Sequence, residues 1–134
     1  MLIDAKIIEL PKIFDRRGSL CVVENMAQIP FAIKQVRWIY DIPSGELHGG
    51  YVNLKRNEFF IALSGSFDVL LDSGKEKKSF TLNRSYYGLL IPEKYWITIE
   101  NFSTNTIALI LSSDQANESN CLNNYDHFKL SVNA

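Results

Sequence analysis

Short apolar runs cut by turn residues, with no sustained 3.6-residue periodicity, set what this chain can fold into. "AKIIEL" and "SLCVVE" flank the turn-rich "FDRRGS"; "FAIKQVRWIYDI", "FFIALSG", "SFDVLLDSG", "KKSFTL", "YGLLIP", "YWITIEN" and "TIALILSS" follow. Each run is rich in β-branched and aromatic residues and ends at Gly, Pro, Asn or Asp, the pattern of strands joined by tight turns. "LDSGK" reads as a hairpin turn in which Gly74 supplies a positive φ. In "VRWIYDI", Val36, Trp38 and Tyr40 share one face and Arg37, Ile39 and Asp41 the other. Only "SSDQANESNCLNNYDHF" leaves room for a helical turn or two. About nine short strands predict an all-β antiparallel sandwich or small barrel.

With 134 residues, the chain is expected to form one domain, 1–134, ending in a polar tail from about 113. Lys and Arg (14) nearly balance Asp and Glu (15), so no global field draws in nucleic acid or an anionic membrane. An anionic ligand then needs a local cluster of cations. Cys21 and Cys121 lack metal-knuckle or redox spacing and read as reduced thiols. With no signal-like N-terminus and no run long enough to span a bilayer, a cytoplasmic location is expected.

Spacing carries more than residue type in "SGELHGGYVNLKRNEFFIALSG". From Gly45, five residues lead to Tyr51; Asn53 lies two further, Glu58 follows after four intervening residues and Gly65 after six. A second run places Pro92, Ile97 and Asn101. These runs resemble the two motifs of the cupin superfamily, small β-barrels of jelly-roll type. The positions of Tyr51, Asn53, Glu58 and Ile97 there usually carry His, His, Glu and His around a metal. Phenol and carboxamide are poor donors to a divalent metal and isoleucine is none, so no metal is expected at this set.

"DRRGSLCVVE", "IPFAIKQVRWIYDIPSG", "LSGSFDVLLDSG" and "LNRSYYGLLIPEKYWITIENFS" resemble a narrower group. They are similar to the sugar 3,4-ketoisomerases acting on dTDP-4-keto-6-deoxyglucose, cupins without metal that feed deoxysugar and surface-polysaccharide synthesis. The resemblance implies a single jelly-roll domain, a dTDP-linked sugar ligand, no cofactor, and a homodimer, since that family pairs through its sheets and often exchanges N-terminal strands. Where that family reads approximately R-G-x-H-A-H-K, this chain has His48, Gly49, Gly50, Tyr51, Val52, Asn53 and Leu54. The two family histidines, implicated in moving the proton between sugar carbons, are replaced.

Moving that proton needs a base whose pKa lies near working pH. Tyr51 serves only if its phenolate is stabilised, whereas Asn53 can hydrogen-bond an enediolate oxygen but cannot carry a proton. Two readings therefore stand side by side. In one, Tyr51 carries the proton with Asn53 and Glu58 in support; in the other, these residues line a nucleotide-sugar pocket that binds without catalysis. His48 is a candidate displaced base; against that, it differs in parity from Tyr51 and Gly49–Gly50 can bend or bulge the strand, so a surface or rim histidine is expected. Tyr40 and Trp38 are candidates to stack on the ligand, Trp38 leaning to the core. Arg37, Lys34, Lys55 and Arg84 are candidates for a diphosphate. Arg17, in the turn Asp15–Gly18, is expected at the pocket mouth or a dimer contact.

Overall fold

The computed structural model describes residues 4–114, 121–122 and 125–133. Two five-stranded antiparallel sheets face each other as a jelly roll. The first has the order β1 (Lys6–Glu9), β9 (Tyr87–Ile91), β6 (Glu58–Ser64), β11 (Ile107–Ser112), β4 (Gln35–Ile39). The second has the order β12 (Cys121–Leu122), β5 (His48–Asn53), β10 (Trp96–Glu100), β7 (Phe67–Asp72), β8 (Lys77–Leu82). A separate hairpin joins β2 (Lys12–Asp15) to β3 (Gly18–Cys21). The sequence reading of about nine strands omitted β2, β5 and β12; β5 was hidden because "HGGYVN" lacks an apolar run.

Strand β6 shows why its sequence is apolar without alternation. Phe60 and Ala62 point between the sheets with Val69, Leu71, Ile97, Ile99 and Ile110. Phe59 and Ile61 point the other way, under Leu10, Ile29 and Phe31. Both faces are thus covered, and each buried phenylalanine contributes about 2–3 kcal/mol of transfer free energy. The β7–β8 hairpin turns as its sequence predicts, with Gly74 at φ 91° and its N–H donated to Asp72 Oδ1 at 2.7 Å.

At the C-terminus, α1 (Tyr125–Asn133) lies on the outer face of the second sheet. Phe128 is buried there, its ring 5.9 Å from that of Trp96, and Tyr125 meets Trp96 edge-on at 5.2 Å. Trp96 thus packs between the second sheet and the helix. The tail expected to be polar contains this apolar anchor, which two aromatic residues three positions apart in a polar segment scarcely advertise.

Candidate active site

Five side chains meet between the sheets. Arg37, Glu58 and Ser112 come from the inner face of the first sheet, Tyr51 and Asn53 from β5 of the second. The carboxyl group of Glu58, wholly buried, is the hub. Its Oε1 accepts from the Tyr51 hydroxyl at 2.8 Å and from Asn53 Nδ2 at 2.6 Å. Its Oε2 accepts from Ser112 Oγ at 2.6 Å and pairs with Arg37 Nη2 at 2.8 Å. Arg37 Nη2 also donates to the Tyr51 oxygen at 3.0 Å, while Nη1 donates to Ser112 Oγ at 3.0 Å and Gln35 Oε1 at 2.9 Å. Four donors converging on one carboxylate compensate its loss of water.

The guanidinium of Arg37 keeps access to solvent, its side chain being 32% exposed against 0% for Glu58. Arg37 and Tyr51 are thus the partly exposed members of the cluster, with Glu58 and Asn53 buried behind them. Burial raises the pKa of Tyr51 far above the usual phenol range, and the Glu58 charge raises it further, against the opposing pull of Arg37. The phenol is thereby held protonated. The phenolate that a proton-abstracting Tyr51 needs is disfavoured by the same geometry that places it.

A second arginine, which the sequence reading did not single out, closes the inner end. Arg56, in the loop between β5 and β6, is buried and donates through Nε to Asn53 Oδ1 at 2.7 Å. This bond fixes the carboxamide so that Nδ2 faces Glu58. Among the described residues, Arg56 Nη1 has no hydrogen-bond partner. The interior thus contains two guanidinium groups around one carboxylate and favours negative charge. Arg56 and Ser112 carried no signal of this role: one sits in a charged loop sequence, and the other comes from a strand more than fifty residues away.

His48 occupies an unexpected place. Along β10, Ile97 pairs with Tyr51, Thr98 with Gly49 and Ile99 with His48, so Gly50 is an extra residue on β5. Ile97 and Ile99 both lie in the core between the sheets. Their partners Tyr51 and His48 therefore share the inward-facing side, although their numbers differ in parity. The bulge requires glycine. Gly49 has φ 96° and Gly50 φ 74°, and a Cβ at Gly49 would come within 2.7 Å of the Ile97 carbonyl oxygen.

The other candidates lie elsewhere. Arg37 and Ile39 take the inward face of β4, leaving Trp38 57% exposed rather than in the core. β4 is an edge strand, so which of its faces turns inward depends on the opposite sheet. Trp38 and Tyr40 line a groove of about 820 Å³ with Val36, Leu63 and Phe102, on the opposite side of β4 from Arg37. Lys34, Lys55 and Arg84 are exposed. Arg17 is exposed at the β2–β3 turn and pairs with Asp15 at 3.1 Å. The side chains of His127 and Cys121 lie outside the described ones; Cys21 is a free thiol.

Residues 3–133 match the family described as WxcM-like, C-terminal (FdtA). The chain belongs to this family. It is 35% identical over 124 residues, 92% of its length and 89% of the relative's, to the TDP-4-oxo-6-deoxy-α-D-glucose-3,4-oxoisomerase of Aneurinibacillus thermoaerophilus. Among solved structures, this FdtA-family chain is similar to a 3,4-ketoisomerase from Helicobacter canadensis, with TM-score 0.95, 35% identity, and 99% and 100% of the two chains covered. It is also similar to a histidine-to-asparagine mutant of the 3,4-ketoisomerase QdtA from Thermoanaerobacterium thermosaccharolyticum, in complex with TDP-4-keto-6-deoxyglucose. There the TM-score is 0.94 and identity 29%, with 98% and 96% covered.

Proposed function

We propose that this protein is a sugar-nucleotide isomerase that interconverts 3- and 4-keto forms of a TDP-linked 6-deoxyhexose in deoxysugar synthesis. The observation that carries this reading is the end-to-end relationship, at 35% identity, to a 3,4-oxoisomerase of nearly the same length. The interior chemistry is compatible with it. Ketoisomerisation passes through an enediol whose oxygens carry developing negative charge, and preorganised donors stabilise such charge strongly where water is excluded. Arg37 supplies positive charge there, and Tyr51 a neutral hydroxyl beside it whose proton is shared with Glu58. Glu58 and Asn53 hold that pair in place. A nucleotide-sugar substrate is consistent with a cytoplasmic location.

We further infer a homodimer. Ile13, Phe14 and Leu20 on the β2–β3 hairpin are 56%, 77% and 56% exposed, and Val36, Trp38 and Leu63 form an exposed apolar face on the first sheet. Mutual covering of these surfaces by a second copy removes both from water. Sedimentation at micromolar concentration checks this, a monomer counting against it.

The activity is tested by incubating the protein with TDP-4-keto-6-deoxyglucose in deuterated water and following the sugar protons by NMR. Deuterium appearing at C3 or C4 with a displaced keto group is the expected result. TDP binding without any exchange overturns the isomerase reading in favour of a binding module.

A further inference from the structure

We propose that His48 is the proton carrier of this site, brought to the interior by the Gly49–Gly50 bulge. The inference rests on the isomerase reading and supplies what that reading lacks, a group able to accept and return a proton. Tyr51 is held protonated, and a carboxamide at Asn53 cannot carry a proton. Glu58 is fully buried behind four donors. Among the described residues, His48 is the one imidazole that shares the inward face of β5 with Tyr51.

Its surroundings suit the task. Ile99 and Ile97, opposite His48 and Tyr51, are each 1% exposed, whereas His48 and Tyr51 are only partly buried. The His48 ring lies edge-on to Phe102 at 5.7 Å, and Phe102 leans on core residue Phe67 at 5.8 Å, so the imidazole is steered by packing. Neither ring nitrogen has a hydrogen-bond partner among the described residues, which leaves both available to a ligand. Ile97 and Ile99 are two ladder positions apart, so His48 stands about 7 Å from Tyr51 along the sheet. A hexose ring bridges such a gap, with its carbonyl oxygen toward Arg37 and Tyr51 and its C3–C4 edge toward the imidazole.

The step balances without an outside reagent. Imidazole removes the C3 proton, the C–H electron pair forms the C3–C4 double bond, and the carbonyl oxygen on C4 becomes an enediolate oxygen that takes up a proton. The hydroxyl on C3 then releases its proton, the C3 carbonyl forms, and the imidazolium returns a proton to C4. Carbon exchanges one proton with the imidazole in each direction, and oxygen loses one and gains one.

The experiment compares wild type, His48→Gln and His48→Ala in the deuterium-exchange assay, with TDP affinity measured by calorimetry. Wild type exchanges; His48→Gln should exchange at least ~100-fold more slowly, the usual scale of a lost general base, and bind TDP within about threefold of wild type. Added imidazole should restore exchange to His48→Ala, which a merely structural histidine would not allow. Exchange by His48→Gln within about threefold of wild type, or no rescue of a folded His48→Ala, overturns the assignment while leaving the isomerase reading intact. A wild type that binds TDP but never exchanges overturns both.

Discussion

The Tyr51 hydroxyl donates to Glu58 Oε1 at 2.8 Å while its oxygen accepts from Arg37 at 3.0 Å, so one phenol bridges the interior carboxylate and its cation. The bond joins the two sheets and also determines what Tyr51 can do chemically. A phenol donating to a buried carboxylate loses that bond on ionising and places two negative charges side by side.

Alkaline stability follows from this. The folded-state pKa of Tyr51 is raised, by burial first and by Glu58 second, whereas an unfolded tyrosine ionises near 10. The stabilisation from keeping Tyr51 protonated is thus complete below about pH 10 and is lost as pH rises beyond it. The wild type should lose more Tm between pH 9 and 11 than Tyr51→Phe does, because the remaining tyrosines titrate in both proteins. Parallel losses would show that Tyr51 is not held neutral by the fold. At pH 7, Tyr51→Phe should cost about 1 kcal/mol in urea unfolding, since Asn53 and Arg37 still bond Glu58.

Glu58→Ala should be far more damaging. It leaves Arg37 without its counter-ion and takes the acceptor from Tyr51, Asn53 and Ser112. Removing one partner of a buried pair costs about 3–5 kcal/mol, and partial exposure of Arg37 reduces this to about 2–4 kcal/mol. Urea denaturation measures it, and a loss below about 1 kcal/mol would deny Glu58 its role as the hub.

The C-terminal helix gives a prediction independent of the site. Phe128 is 2% exposed against Trp96 and Tyr125. Phe128→Ala should cost about 3–4 kcal/mol, with amide exchange rising first in α1 and in β12 beside it. Unchanged protection of α1 in a variant of native stability would mean that the helix is held by other contacts.

The strands and turns were legible because they rest on local rules: apolar runs, β-branched residues and turn formers. The shared direction of Tyr51 and Asn53 follows from strand parity, and their nearness to Glu58 from a motif spacing that spans the β5–β6 connection from one sheet to the other. Arg37 reads in the sequence as a possible anion contact, but its partners Ser112 and Tyr51, 75 and 14 residues away, do not.

What the amino-acid order determined by itself was which residues alternate, where the chain turns and which chemical groups the segment from His48 to Glu58 carries. Tertiary structure alone decided which face of each strand points inward. On β4 that choice sends Arg37 to the site and Trp38 to the outside, because an alternating pattern defines two faces without saying which one meets the opposite sheet. On β5, pairing with β10 extrudes Gly50 and returns His48 to the side of Tyr51. Parity counts residues, whereas the sheet counts hydrogen-bonded pairs, and one unpaired glycine makes the two counts disagree.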